Sequence, residues 1–122
     1  MVLIDTSCWV QSLRRKGDAA IRERVRALLE SREAAWCDVV RLELWNGAAN
    51  DWDRKLLQDL EIDVPVLPMT DEVWRQAIEL AARARSSGLN VPATDLLIFA
   101  CAKTHLAKLE HVDQHFVMLE RL

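Results

Sequence analysis

The chain has 122 residues, 51% hydrophobic and 29% charged, a balance that is typical of a folded globular domain and excludes a disordered segment. No apolar run approaches the roughly 20 residues needed to cross a bilayer, and the amino terminus lacks the basic and apolar segments of a signal peptide. The length predicts a single domain, residues 1–122, and the cysteine content fits a cytoplasmic protein. The net charge of −3 disfavours nucleic acid as a partner.

Short apolar runs alternate with amphipathic segments along the chain. Ile21, Val25 and Leu28 recur with helical spacing. Residues 96–102 are all apolar and predict a helix buried on nearly all sides. In chain order the predicted elements are a strand at 2–4, helices at 7–13 and 18–31, a strand at 34–37, helices at 39–49 and 51–60, a strand at 64–68, a helix at 71–86, a helix beginning near residue 92, a strand at 108–112 and a short terminal helix or strand. This alternation predicts an α/β fold with a parallel sheet and helices on both faces.

Individual residues mark the ends of these elements. Asp38 and Thr70 suit helix N-caps, and Pro92 suits the first position of a helix. Gly88 suits the end of the helix over 71–86. Pro65 lies within the predicted third strand, which indicates either an edge position or a later start for that strand.

The tryptophans and cysteines indicate where the core lies. Apolar stripes predict core positions for Trp36, Trp45 and Trp74. Trp9 and Trp52 have a looser context and are candidates for an interaction surface. The three cysteines all lie in apolar surroundings and fit reduced, buried thiols better than disulfides. They are Cys8, Cys37 and Cys101.

Four acidic residues interrupt otherwise apolar segments, and each has an ordinary explanation when taken alone. Asp5 and Asp113 follow predicted strands and suit helix caps. Asp95 lies in the first turn of a helix, where the macrodipole favours an anion. Glu43 suits a solvated position on a half-buried helix.

Taken together, the four acids predict a metal-binding cleft. In a right-handed parallel α/β sheet the carboxyl ends of strands and the amino ends of the following helices share one edge, so all four carboxylates can converge there. Four carboxylates in one cleft repel each other unless cations compensate them. Oxygen ligands select Mg²⁺ or Mn²⁺, and two such ions about 4 Å apart activate water for attack on a phosphodiester.

Four segments carry a resemblance to a known family: Val2-Leu3-Ile4-Asp5-Thr6-Ser7, the helix bearing Glu43, Pro92-Ala93-Thr94-Asp95-Leu96-Leu97-Ile98, and His111-Val112-Asp113-Gln114-His115-Phe116. In this order they resemble the PIN domain, above all the VapC toxins of bacterial toxin–antitoxin pairs, over the whole chain. The resemblance implies a three-layer α/β/α sandwich around a mostly parallel sheet and a Mg²⁺-dependent endoribonuclease that cleaves RNA. It also implies that Asp5, Glu43, Asp95 and Asp113 form the family's acidic quartet, with direct or water-mediated contact to the metal. Many members carry further small polar residues around the fourth acid, and this chain has Glu110-His111-Val112 there.

The resemblance further implies a homodimer that is held inactive by a VapB-type antitoxin whose tail covers the cleft. Trp9 and Trp52 are candidates for a dimer or antitoxin surface. Thr6 has two interpretations, as a hydroxyl that orients Asp5 or as a plain helix cap. His115 is left outside the predicted site because histidines in a first helical turn are more often packed or solvated.

A basic cluster early in the chain also has two interpretations. It consists of Arg14, Arg15, Lys16, Arg22, Arg24 and Arg26. Such a cluster is more commonly a solvated helix face, and the functional alternative is a rim that contacts RNA phosphates.

Competing functional classes fit the chain less well. A haloacid-dehalogenase-type phosphatase requires a second acid two positions after the first, where this chain has Ser7. A response-regulator receiver places its phosphoacceptor after a middle strand and uses a late lysine, a pattern that this chain does not fit well. Two alternatives stay open: a structure-specific DNA nuclease, and a PIN-fold interaction module with a degenerate site. The presence of all four acids argues against the module.

Overall fold

A parallel three-stranded sheet flanked by helices forms the centre of the protein. The computed structural model describes all of residues 1–122. Its elements are β1 (Val2–Ile4), α1 (Thr6–Leu13), α2 (Ala19–Glu30), β2 (Ala34–Ala35), α3 (Asp38–Asn46), α4 (Asp51–Asp63), α5 (Asp71–Ser86), α6 (Ala93–Thr104), β3 (Lys108–Glu110) and α7 (Gln114–Glu120). This architecture confirms the predicted α/β class.

The middle strand of the sheet is β1, and the strand order is β2-β1-β3. Leu3 is paired with Ala35 of β2 on one side and with Leu109 of β3 on the other, both in parallel register. All three residues of β1 are buried, as expected for a parallel strand covered on both faces. Its carboxyl end therefore opens directly from the core onto the sheet edge where Asp5 lies.

The predicted strand at 64–68 is reduced to a single parallel bridge between Trp36 and Val66. The Trp36 N–H donates to the Pro65 carbonyl at 3.2 Å, and the Leu67 N–H donates to the Trp36 carbonyl at 2.8 Å. Pro65 has no N–H to extend this ladder, which limits pairing at the edge. The prediction of a full strand is wrong, whereas the predicted edge position is correct.

Two helix starts differ from their predictions. Cys37, not Asp38, occupies the N-cap of α3 and makes no side-chain capping bond. Asp38 lies in the first turn instead, where its Oδ1 accepts from Arg41 at 2.8 Å. Pro92 is the N-cap of α6 and not its first helical residue, so the helix begins at Ala93. The Thr70 cap is as predicted, since its hydroxyl accepts from the Val73 N–H at 3.3 Å.

The predicted core position of Trp74 is wrong, and Trp9 packs in the core and not at an interaction surface. Trp9 is completely buried and packs against Trp36 with ring centroids 5.7 Å apart. Trp74 is 49% exposed, and Ile78 lies one turn further along the same exposed face of α5. The buried face of α5 carries Val73, Ala77, Leu80 and Ala84. Because each residue turns a helix by about 100°, Trp74 falls beside this stripe.

The most buried helix is α6, whose residues from Ile98 to Ala102 are all buried. This confirms the prediction made from its uninterrupted apolar sequence. The three cysteines are free and buried, as predicted. None of the helices combines the length and the apolar character that crossing a membrane requires.

Candidate active site

Asp5 combines deep burial with a helix cap at the end of β1. It is 4% exposed and is the only charged residue among the buried ones. Its Oδ2 accepts from the Ser7 N–H at 3.1 Å and from the Ser7 hydroxyl at 2.6 Å, which caps α1. Both bonds go to Oδ2, so Oδ1 carries no hydrogen bond from the protein. The cap explanation of Asp5 is therefore correct and leaves one oxygen available to a ligand.

Glu43 reaches the same region from α3. It is the sixth of nine residues in this helix, beyond the amino-terminal half where the sequence placed it. Its Oε1 accepts from the Thr6 hydroxyl at 2.7 Å. The Thr6 hydroxyl thus orients Glu43 and not Asp5, and Asp5, not Thr6, caps α1. Both interpretations of Thr6 are therefore wrong.

Asp95 and Asp113 meet across the start of two helices. Asp95 lies in the first turn of α6, and Asp113 caps α7 by accepting from the His115 N–H at 2.8 Å. The ring of His115 lies between the two acids. Its Nδ1 is 2.8 Å from Asp95 Oδ2 and 3.2 Å from Asp113 Oδ1.

His115 is the residue of this site that the sequence analysis left out. The two-residue spacing between Asp113 and His115 could have indicated this position. A cap residue accepts from a backbone N–H two or three positions later. When the acceptor is Asp113 and the donor is residue 115, the side chain at 115 is brought beside the acid. The contact with Asp95 depends on the packing of α7 against α6, which no local pattern specifies.

The electrostatics show that the acids act on each other. Burial is the main cause that raises the pKa of Glu43, and the charges of Asp5 and Asp95 raise it further, while the Thr6 hydrogen bond opposes them. Burial likewise raises the pKa of Asp95 most, followed by the charges of Asp113 and Asp5, against the hydrogen bond from His115. Asp95 is therefore within electrostatic reach of Asp5, Glu43 and Asp113, and Glu43 is within reach of Asp5 and Asp95.

The donor atoms present fit a divalent cation. Asp95, Asp113 and His115 each offer one donor, and the three atoms lie within 4.8 Å of one another. Asp5 adds a buried carboxylate with a free oxygen, and Glu43 adds a second charge nearby. Closely spaced carboxylates that raise each other's pKa are stabilised by a bound cation, and oxygen-rich donor sets suit Mg²⁺ and Mn²⁺.

A groove of about 600 Å³ runs between α1, α3 and α4, and Glu43 is the one acid of the four that lines it. Arg14, Arg15 and Trp52, which is 62% exposed, also line it. Neither arginine makes a salt bridge with an acid of the chain. Both guanidinium groups are therefore free to bind an anionic ligand in the groove.

The rest of the early basic cluster is engaged by neighbouring groups. Arg24 binds Glu110 through two hydrogen bonds of 2.5 and 2.7 Å. Arg26 pairs with Glu23 at 2.7 Å, and Arg22 donates to the Arg15 carbonyl at 3.1 Å. The cluster thus divides into a paired helix face and a smaller free part.

Comparisons with known proteins place these features in a family. A family profile described as PIN domain matches residues 2–122. The chain is 36% identical over 126 residues to ribonuclease VapC11 of Mycobacterium tuberculosis and to VapC ribonuclease Mb1587 of Mycobacterium bovis, with 100% of this chain and 93% of each relative covered. The crystal structure of VapBC2 from Rickettsia felis, bound to a DNA fragment from their promoter, matches with a TM-score of 0.83 at 19% identity, covering 100% of this chain and 96% of that chain. The chain belongs to the PIN domain family and, within it, to the VapC group.

Proposed function

We propose that this protein is a metal-dependent endoribonuclease that acts as the toxin of a VapBC-type pair. One observation carries the proposal: four carboxylates from four separate segments lie at one sheet edge, where burial and then their mutual charges raise the pKa values of Glu43 and Asp95. The relatives that match this chain over its full length are named as ribonucleases, which supports RNA as the substrate.

The proposed metal ligands are Asp5, Glu43, Asp95 and Asp113, in direct or water-mediated contact with Mg²⁺ or Mn²⁺. A bound ion would supply Lewis acidity at the scissile phosphate and would lower the pKa of a water ligand, which makes that water easier to deprotonate. Glu43 is proposed to accept the proton of the attacking water, in contact with the metal through water. The Thr6 hydroxyl holds its Oε1, and its Oε2 makes no hydrogen bond with the protein.

The groove beside Glu43 is the proposed path of the RNA. Arg14 and Arg15 lie on its wall, so phosphates on either side of the scissile bond find two cations within the groove. The two arginines balance Glu43 and Asp53 on the groove wall, so the groove lacks the negative charge that the chain carries as a whole.

A VapB-type antitoxin and a second copy of the chain are the proposed protein partners. The matching Rickettsia felis structure is that of a VapBC complex, which supports the first. The exposed Trp74 and Ile78 on α5 offer apolar surface for the second. Aromatic residues of this kind are enriched in protein interfaces.

Asp5→Asn is expected to reduce RNA cleavage in Mg²⁺ by more than about 100-fold, because the loss of even an outer-shell group typically costs 10–100-fold. Cleavage of a fluorogenic RNA measures the effect. Asp51→Asn is the matched control, since the Asp51 side chain is fully exposed on α4. Wild-type cleavage by Asp5→Asn would remove this residue from the proposed centre.

Replacing Arg14 and Arg15 together with Gln is expected to weaken RNA binding and to flatten its salt dependence. For single-stranded RNA the slope of log K against log salt should fall by about 1.4 for two lost phosphate contacts. Fluorescence anisotropy over a salt series gives the slope. Arg26 and Arg54, which pair with acids on their own helices, serve as the control pair for the same substitution. An unchanged slope in the Arg14 and Arg15 variant would show that neither residue contacts RNA phosphates and that both are solvated.

Glu43→Gln is expected to raise the midpoint of thermal unfolding in EDTA at pH 7. The folded state raises the pKa of Glu43, so it favours the protonated form, and the ionised carboxylate lowers stability once the pH exceeds the folded pKa. Gln retains an oxygen for the Thr6 hydroxyl and removes the charge. The gain should shrink as the pH falls towards about 4 and vanish at about pH 3, where the wild-type carboxyl is protonated in both states. Calorimetry at both pH values measures this difference, and a midpoint at pH 7 that does not rise would contradict the charge repulsion.

A further inference from the structure

The imidazole ring of His115 lies inside the acidic cluster, although His115 is not one of the four acids. It lies between two carboxylates that come from different helices, and its Nδ1 contacts an oxygen of each. We propose that His115 is a direct metal ligand through Nδ1, so that the centre has a mixed nitrogen and oxygen donor set and binds Mn²⁺ in preference to Mg²⁺. This inference rests on the metal centre of the proposed function.

The distances agree with three donors that share one octahedral ion. Two neighbouring ligands at about 2.1 Å from such an ion are separated by about 3.0 Å, the edge of the octahedron. The Nδ1 atom of His115 is 2.8 Å from Asp95 Oδ2 and 3.2 Å from Asp113 Oδ1, on either side of that value. An ion can therefore take all three atoms without a large movement of the chain.

The ring is held in this position by the surrounding structure. The backbone N–H of His115 is fixed by the cap bond to Asp113 Oδ1. Phe116, the next residue, is fully buried and packs against the ring of His111 at a centroid distance of 5.0 Å. The His115 side chain is 33% exposed, so an ion from solvent can reach it.

The donor chemistry predicts which ion is favoured. Mg²⁺ takes oxygen ligands, whereas imidazole suits first-row transition metals, and carboxylates also suit Mn²⁺. Replacing one oxygen position of the centre by an imidazole nitrogen therefore raises the affinity for Mn²⁺ relative to Mg²⁺. His115 then acts as the residue that sets metal preference, while the carboxylates supply the charge.

Pulsed electron paramagnetic resonance on the Mn²⁺-loaded wild-type protein tests the proposal directly. A directly bound imidazole gives a ¹⁴N coupling to Mn²⁺, and this coupling is expected in the wild type and absent in His115→Asn. His105→Asn and His111→Asn should keep it, and these two residues are the only other histidines of the chain. In calorimetric titrations His115→Asn is expected to bind Mn²⁺ at least about 10-fold more weakly, with a smaller loss for Mg²⁺.

The possible outcomes distinguish the ligand role of His115 from the proposed metal-dependent activity. Bound Mn²⁺ without a ¹⁴N coupling in the wild type would overturn the role of His115 and leave the carboxylate centre intact. A coupling that persists in His115→Asn would overturn it as well. Failure of the wild-type protein to bind Mn²⁺ would overturn both this inference and the proposed metal-dependent activity. The wild-type spectrum tests for a bound imidazole without any variant, and the three single Asn variants then assign the coupling to one of the three histidines.

Discussion

Confinement of four carboxylates at one edge of a small sheet is the constraint on which the rest of the site depends. One of them, Asp5, is 4% exposed. Burying a charge is costly unless hydrogen bonds or an opposite charge compensate it. Ser7 supplies two hydrogen bonds to Asp5, and one hydroxyl of Thr6 supports Glu43. These contacts satisfy only part of each carboxylate, and the remaining repulsion favours binding of a cation.

The local structure fixes the acids through helix caps. Asp5 caps α1, and Asp113 caps α7, each by accepting from a backbone N–H two residues later. In Asp5 the cap uses Oδ2, so Oδ1 is left without a hydrogen bond from the protein. Asp113 instead uses Oδ1 both for the cap and for the contact with the His115 ring, and its second lone pair is the one a cation would use. A substitution that removes the carboxylate affects both the helix start and the centre, which makes Asn, a good N-cap, the informative replacement.

The sequence predicted those features that depend on local pattern or on general rules of α/β topology. The buried strand before Asp5, the order of the elements and the convergence of the four acids follow from hydrophobic runs and from the shared edge of a parallel sheet. Features that depend on packing between distant segments were not predictable. The Thr6 hydroxyl finds Glu43 only because α1 packs on α3, and the ring of His115 reaches Asp95 only because α7 packs on α6. The burial of Trp9 and the exposure of Trp74 have the same cause. An apolar stripe in the sequence does not specify which of its edges a neighbouring element covers.

Stabilisation of these acids by a divalent cation is tested most directly by the thermal unfolding midpoint of the wild-type protein, measured against Mn²⁺ concentration. At constant ionic strength we expect the midpoint to be lowest in EDTA and to rise with Mn²⁺, because the ion binds the folded state. The rise should be much smaller in Asp95→Asn, which removes one of the three close donors. A wild-type midpoint that stays constant across the Mn²⁺ series would contradict the account.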